Sequence, residues 1–182
     1  RSRISVSHSP RHGRPVMPNG DLKNYEHRAR AVGIVVDGNR ILATRVQTPL
    51  LGDKPHWLWP GGKVEGAESL EECAEREVRE ETGLQVQAER LIYVYQSVDD
   101  DNDNQNAEFF FLCNVTGGEL GAWNPDLEAQ ENILDARFVS QYELIGKEIW
   151  PERVTERVWD DLDAGFPEII DLGFRRLPTD SK

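Results

Sequence analysis

The chain predicts an α/β fold, and three observations carry that expectation. A β-branched run at residues 31–36 is followed by a turn signal and a second run, Arg40–Val46. Strong helix formers fill residues 70–81 between a plausible start and a glycine stop. A dense apolar run at residues 108–115 lacks alternation, as expected for a central strand buried on both faces.

Taken in order, residues 1–20 stand apart. They hold Arg, Ser, His, Pro and Gly, with no acid before Asp21 and little apolar periodicity. No secretory apolar segment is present, so they are expected to be a flexible or artificially appended tail, with Met17 as an alternative start. His8 and His12 are then linker residues. Residues 21–182 are expected to form one domain, organised from Ala29 onward. Asp37-Gly38-Asn39 joins the first two strands as a hairpin. Residues 48–55 hold Pro and Gly and read as a loop, and residues 56–59 as a short strand leading to Pro60-Gly61-Gly62. Those glycines are expected to open a loop. After the helix, residues 87–98 read as a strand-pair region. Residues 99–104 have acids spaced like a calcium loop, but Asn104 and Phe110 stand where glycine and a bidentate acid are needed, so a solvated hairpin is expected. Gly117-Gly118 ends the central strand, residues 123–131 form a polar loop, and residues 136–139 a final strand-like piece. Residues 141–147 read as a short helix. Pro151 then opens another, with Val154, Val158, Trp159 and Leu162 on one face and Gly165 as its stop.

The helix at residues 70–81 carries the chemistry. Leu70, Cys73, Ala74 and Val78 form its apolar stripe, and at about 100° per residue Glu77 and Glu81 continue that stripe. Glu77, Glu80 and Glu81 project together, repel one another, and stand at the end of the helix dipole that disfavours anions. Arg76 reaches Glu80 at i,i+4. Oxygen-only ligands suit a hard divalent ion. A solvated acidic face is the plain alternative for a Glu run.

From Gly62 to Leu84 the spacing is G-x5-E-x7-R-E-[aliphatic]-x-E-E-x-G-[aliphatic]. This resembles the Nudix hydrolase signature at every defined position: Gly62, Glu68, Arg76, Glu77, Val78, Glu80, Glu81, Gly83 and Leu84. The resemblance extends over roughly residues 29–139. It implies a Nudix α/β/α sandwich with a mixed sheet and a loop-helix-loop catalytic motif. It implies Glu77, Glu80 and Glu81 as metal ligands, with the Gly61 carbonyl completing the shell of one to three Mg²⁺ or Mn²⁺ ions. Glu77 or Glu80 would also accept the water's proton, while Arg76 and Glu68 shape the ligands. The activity implied is hydrolysis of a pyrophosphate bond in a nucleoside diphosphate linked to another moiety, or in a nucleoside triphosphate.

Many members place a further acid six residues before an aromatic on a late strand. Counted from Phe138 that position is Asn132, which leaves Glu131, Glu128 and Glu108 as candidates and makes Glu131 the expected catalytic substitute. Arg45, Trp59 and Glu108 are the expected substrate contacts, although a core position is the common alternative for Trp59. The proline of ADP-ribose pyrophosphatases, the tyrosine of the dinucleoside-polyphosphate branch, the NADH array and a coenzyme A motif are all missing from their expected places. The expectation is therefore a general nucleoside-diphosphate-X hydrolase, with an ADP-ribose or nucleotide-sugar pyrophosphatase, or a catalytically weak Nudix-fold binding module, as alternatives.

Composition bounds the partners. Of 182 residues, 38% are hydrophobic and 30% charged, as in a globular domain. The net charge of −12 disfavours gripping a long polyanion, so neither nucleic acid nor membrane is expected. A small phosphorylated nucleotide is the expected partner, and a homodimer is left open. Cys73 and Cys113 form no disulfide framework and read as reduced core thiols, which points to a cytoplasmic setting.

Overall fold

A computed structural model describes residues 24–47, 54–121, 133–147 and 149–177. The element order is β1 (Glu26–Asp37), β2 (Arg40–Val46), β3 (His56–Leu58), β4 (Gly61–Lys63), α1 (Leu70–Thr82), β5 (Leu84–Asp99), β6 (Asn104–Gly118), β7 (Ile133–Val139), β8 (Ile149–Trp150), α2 (Glu152–Thr155), α3 (Val158–Asp163) and β9 (Ile170–Arg176). A 3-10 turn, Gln141–Leu144, precedes β8. The strands run β8-β3-β2-β1-β6-β5-β9, with β4 also pairing β1 and β7 also pairing β2.

The sheet is mixed because β1 serves two neighbours differently. It forms an antiparallel hairpin with β2, Val36 opposite Ile41, and a long parallel ladder with β6, from Glu26 opposite Asn104 to Val35 opposite Cys113. The apolar run at residues 108–115 thus lies at the centre of the sheet, between β1 and β5. Alternate residues of β1 feed opposite faces. Ala31 and Val35 join Cys73, Ala74 and Val78 of α1 in one cluster. Val32 and Ile34 join Trp57, Trp59, Tyr93, Tyr95, Phe110, Val154, Val158 and Trp159 in another. Helices therefore cover both faces of the sheet.

α1 starts and stops as its residues dictate. Ser69 caps it through the Glu72 N–H at 3.1 Å, and Glu72 returns a bond to the Ser69 N–H at 2.7 Å, a reciprocal capping box. Gly83 closes it with φ of 81°, a left-handed value that glycine tolerates without strain. The helix seats closely because Gly33 lies beneath Val78, where a Cβ would come within 2.4 Å of Val78 Cγ2.

Four expectations change. Gly61-Gly62 does not open a loop; it forms β4, because β1 supplies ladder partners at Val32 and Ala31. The strand-pair region at residues 87–98 is part of one continuous strand, β5, which pairs with β6 through three register shifts. The helix after Pro151 breaks at Arg157 into α2 and α3, with Pro151 just ahead of the first turn. The piece at residues 136–139 belongs to β7 and is not the last strand, since β9 adds a parallel edge beside β5. The 99–104 hairpin is as expected: Asp99 accepts from the Asp101 and Asn102 N–H groups and so caps its own turn. Cys73 and Cys113 are free and buried. Among the described residues no helix is long and apolar enough to cross a membrane. The tail at residues 1–20 and the loop at residues 123–131 lie outside the described residues.

Candidate active site

α1 carries the acids and β4 shapes the space they occupy. Glu77 and Glu81 are only 6% and 8% exposed, so they continue the buried stripe, while Glu80 is half-buried. The Glu77 carboxylate rests directly on Gly62. A Cβ there would stand 2.1 Å from Glu77 Oε1, so only glycine leaves the acid its place. Glu81 lies on the β2 side, where Thr44 Oγ1 approaches its Oε2 at 3.4 Å. Neither Gly62's role as a cradle nor Thr44 was foreseen.

Arg76 holds the cluster together. Its Nη2 and Nε take Glu68 in a two-point grip at 2.8 and 3.0 Å. Its Nη1 donates to Glu77 Oε1 at 2.8 Å and to Glu80 Oε2 at 2.9 Å, the i,i+4 contact expected from the spacing. Nη2 also reaches the Lys63 carbonyl at 3.2 Å and so ties helix to β4. Glu68, which also accepts the Glu65 N–H, is held down at about 2, chiefly by its bond to Arg76. Burial pushes the neighbouring Cys73 thiol up to about 11, which leaves it a packing group rather than a nucleophile.

One guanidinium thus faces Glu68, Glu77 and Glu80, with Glu81 alongside. Among the described residues no three metal-ligating side chains converge as they stand, and Arg76 Nη1 bridges Glu77 and Glu80. The donor set nevertheless fits a hard divalent cation. Every donor is oxygen, and two of the carboxylates, Glu77 and Glu81, are buried.

The remaining sequence-derived candidates scatter. The Gly61 carbonyl lies on β4 and accepts from Arg30 Nη2 at 3.1 Å. Arg30 also stands 4.0 Å from Glu108, and so links Glu108 on β6 to the strand that carries Gly61. Burial raises the Glu108 carboxyl, with Arg30 and Ser97 opposing the shift. Arg30 was not foreseen; it is the last residue of a polar stretch, Glu26–Arg30, that leads into the apolar run of β1. Trp59 is 3% exposed in the core, so the core alternative holds and its ring faces are covered rather than open to a base. Arg45 follows Thr44 on β2 and therefore points away from the acids, into a cavity with Lys54, Trp57, Arg137 and Lys147. Glu131, Glu128 and Asn132 lie outside the described residues.

A capped acidic helix laid across a glycine strand, with one arginine gripping three glutamates, gathers oxygen donors of the kind that suit a hard divalent cation. The NUDIX domain family model matches residues 27–158, most of the chain, and the chain belongs to the Nudix family. It is 38% identical over 125 residues to an ADP-ribose pyrophosphatase of Methanocaldococcus jannaschii, covering 66% of this chain and 72% of that protein. The fold is shared with a Nudix hydrolase of Nitrosomonas europaea at TM-score 0.61 and 19% identity, covering 85% and 82% of the two chains. It is also shared with a UDP-X diphosphatase at TM-score 0.59 and 22% identity, covering 87% and 70%. The chain is a Nudix pyrophosphohydrolase.

Proposed function

We propose that this enzyme cleaves the pyrophosphate bond of a nucleoside diphosphate joined to another moiety, releasing a nucleoside monophosphate, with ADP-ribose the first substrate to test. The observation that carries the reading is the Glu77 carboxylate, buried on the Cβ-free surface of Gly62 and shared through Arg76 with Glu80. The ADP-ribose pyrophosphatase relative from M. jannaschii supports the substrate class. The missing subfamily proline argues only against assigning the branch by motif.

Glu77, Glu80 and Glu81, with the Gly61 carbonyl, would hold Mg²⁺ or Mn²⁺. Such ions, when bound, neutralise phosphate oxygens and lower the pKa of coordinated water. The protein's own work is positional. Arg76 fixes Glu77 and Glu80 in one rotamer each while anchoring them to Glu68 and to the Lys63 carbonyl. Gly62 excludes any side chain from the space beneath Glu77. An acid outside the signature, with Glu131 the candidate, would finish removing the water's proton. Glu108, in the sheet centre with Arg30, would act from beside Gly61 rather than as a direct substrate contact.

The decisive experiment incubates the protein with ADP-ribose, a UDP-sugar and a nucleoside triphosphate, each with Mg²⁺ or Mn²⁺, and scores released monophosphate. ADP-ribose turned over faster than the triphosphate supports the reading. Triphosphate preferred, or no substrate cleaved by wild type, overturns it. For the outer acid, Glu131→Gln should lower turnover far more than Glu128→Gln without changing the Mg²⁺ needed for half-maximal rate. Equal, near-wild-type rates would return the base to Glu77 or Glu80.

A further inference from the structure

A second charged site lies on the other side of β2. Arg45 on β2, Lys54 before β3, Arg137 on β7 and Lys147 after the 3-10 turn surround a cavity of about 410 Å³, with Trp57, Pro55 and Gly146 as its other walls. Arg137 Cζ stands 5.1 Å and Lys147 Nζ 5.6 Å from the centre of the same Trp57 ring. That ring is only 4% exposed, so the two cations cover it and leave no face for a base to stack on.

The charge balance around this cavity is unusual for this chain. The molecule as a whole carries −12, yet four cations from four segments converge here. Two acids stand close by among the described residues, and both are engaged. Asp135 pairs with Arg137 at 3.4 Å, and Glu143 accepts the Ser140 N–H and hydroxyl at 2.9 Å. Asp135 and Glu143, which also feels Arg137 and Lys147, offset only part of this charge, and the remaining positive excess is what a bound anion would relieve. Cation–π contact with Trp57 holds two of them in place without neutralising either.

We propose that this cavity binds a small, multiply charged phosphate anion, a pyrophosphate or the diphosphate portion of a nucleotide. A fork-shaped guanidinium and an ammonium on adjacent walls suit phosphate oxygens. The covered indole and the lack of an open aromatic face place recognition on the phosphates rather than on a base. The site is separate from the acids of α1: Thr44 meets Glu81 on one face of β2, while Arg45 lines the cavity on the other. The proposal does not depend on which substrate is hydrolysed.

The test is calorimetric titration of the intact protein with inorganic pyrophosphate, ADP and adenosine, all with divalent metal chelated so that the α1 site does not contribute. Pyrophosphate and ADP should bind with dissociation constants below about 1 mM, and adenosine should not. Equal affinity for the two would identify the ligand as bare diphosphate; a clear preference for ADP would identify a nucleotide. Lys147→Ala combined with Arg137→Ala should weaken binding at least about tenfold, whereas Arg137→Lys should retain most of it. Glu80→Gln should leave it unchanged. Melting curves of each variant confirm that the fold is kept, and Lys147→Ala alone, at an exposed side chain, serves if the double variant does not fold. No binding by wild type, binding undiminished in the charge-removed variants, or binding lost in Glu80→Gln would each overturn the proposal.

Discussion

The two faces of the sheet each bury carboxylates beside an arginine, and the difference in their arithmetic separates chemistry from architecture. On the α3 side, Arg157 takes Asp161 in a two-point grip at 2.6 and 2.9 Å, and Tyr93 donates to the same carboxylate at 2.6 Å. One cation meets one anion, and the hydroxyl satisfies a further lone pair. On the α1 side, one arginine meets three glutamates and a fourth stands beside them. The first set is balanced and has nothing left to bind. Among the described residues the second sets three carboxylates on one guanidinium, an arrangement that a bound cation would relieve.

The largest expected effect breaks the unbalanced side. Glu80→Gln should cut turnover by about 10³-fold, the scale of losing one charge interaction at a reacting centre. The fold should survive, because removing one acid from a repelling cluster costs little, and the melting temperature without metal should hold or rise. A mutant that keeps most of its turnover would refute the assignment. Gly62→Ala comes next. The new Cβ would displace the Glu77 carboxylate, which can swing aside, so activity should fall about 10²-fold while stability changes little. Parallel assays of turnover and urea unfolding would show whether the two properties separate.

Gly33→Ala sharpens the same contrast from an apolar position. Its Cβ would meet Val78 Cγ2, on a buried β-branched side chain with nowhere to go, so unfolding should show a loss of about 1–3 kcal/mol. The smallest effect belongs to the balanced side. Asp161→Asn keeps the shape and the Tyr93 contact but leaves Arg157 unpaired; with Arg157 partly exposed, about 1–2 kcal/mol should be lost at neutral pH and no activity. The cost is also pH-dependent. Arg157 holds the Asp161 carboxyl below its ordinary value of 3.8, so its contribution is complete above that pH and disappears as pH falls through the lower folded value. The stability gap between wild type and Asp161→Asn should therefore close in acid, and a constant gap down to the lowest pH at which both fold would contradict the pairing.

How much was legible in the chain follows from how local each signal is. The limits of α1, its cap at Ser69, its stop at Gly83 and the Arg76–Glu80 contact all follow from residues within a few positions of one another. The β1–β2 hairpin is similarly local, and the central strand declares itself by lacking polar alternation. Glycine at residues 61 and 62 reads locally as a loop, and only the ladder offered by distant β1 makes it a strand. β9 was missed because Gly173, with φ of 80°, interrupts its pattern, and its partner is a strand far back in the chain.

The sequence by itself determined the family, the helix and the shared face on which Glu77, Glu80 and Glu81 stand, because a helix's periodicity converts spacing into a shared face without outside help. Tertiary structure alone decided what surrounds them. Residue spacing cannot say that Gly62 leaves room for Glu77, that Thr44 meets Glu81, or that Trp59 is sealed in the core. Nor can it say that Arg45 turns away from the acids to join Lys54, Arg137 and Lys147. Each of these depends on which strands become neighbours, and pairing between strands distant in the chain is settled by burial across the whole chain rather than by any one segment of it.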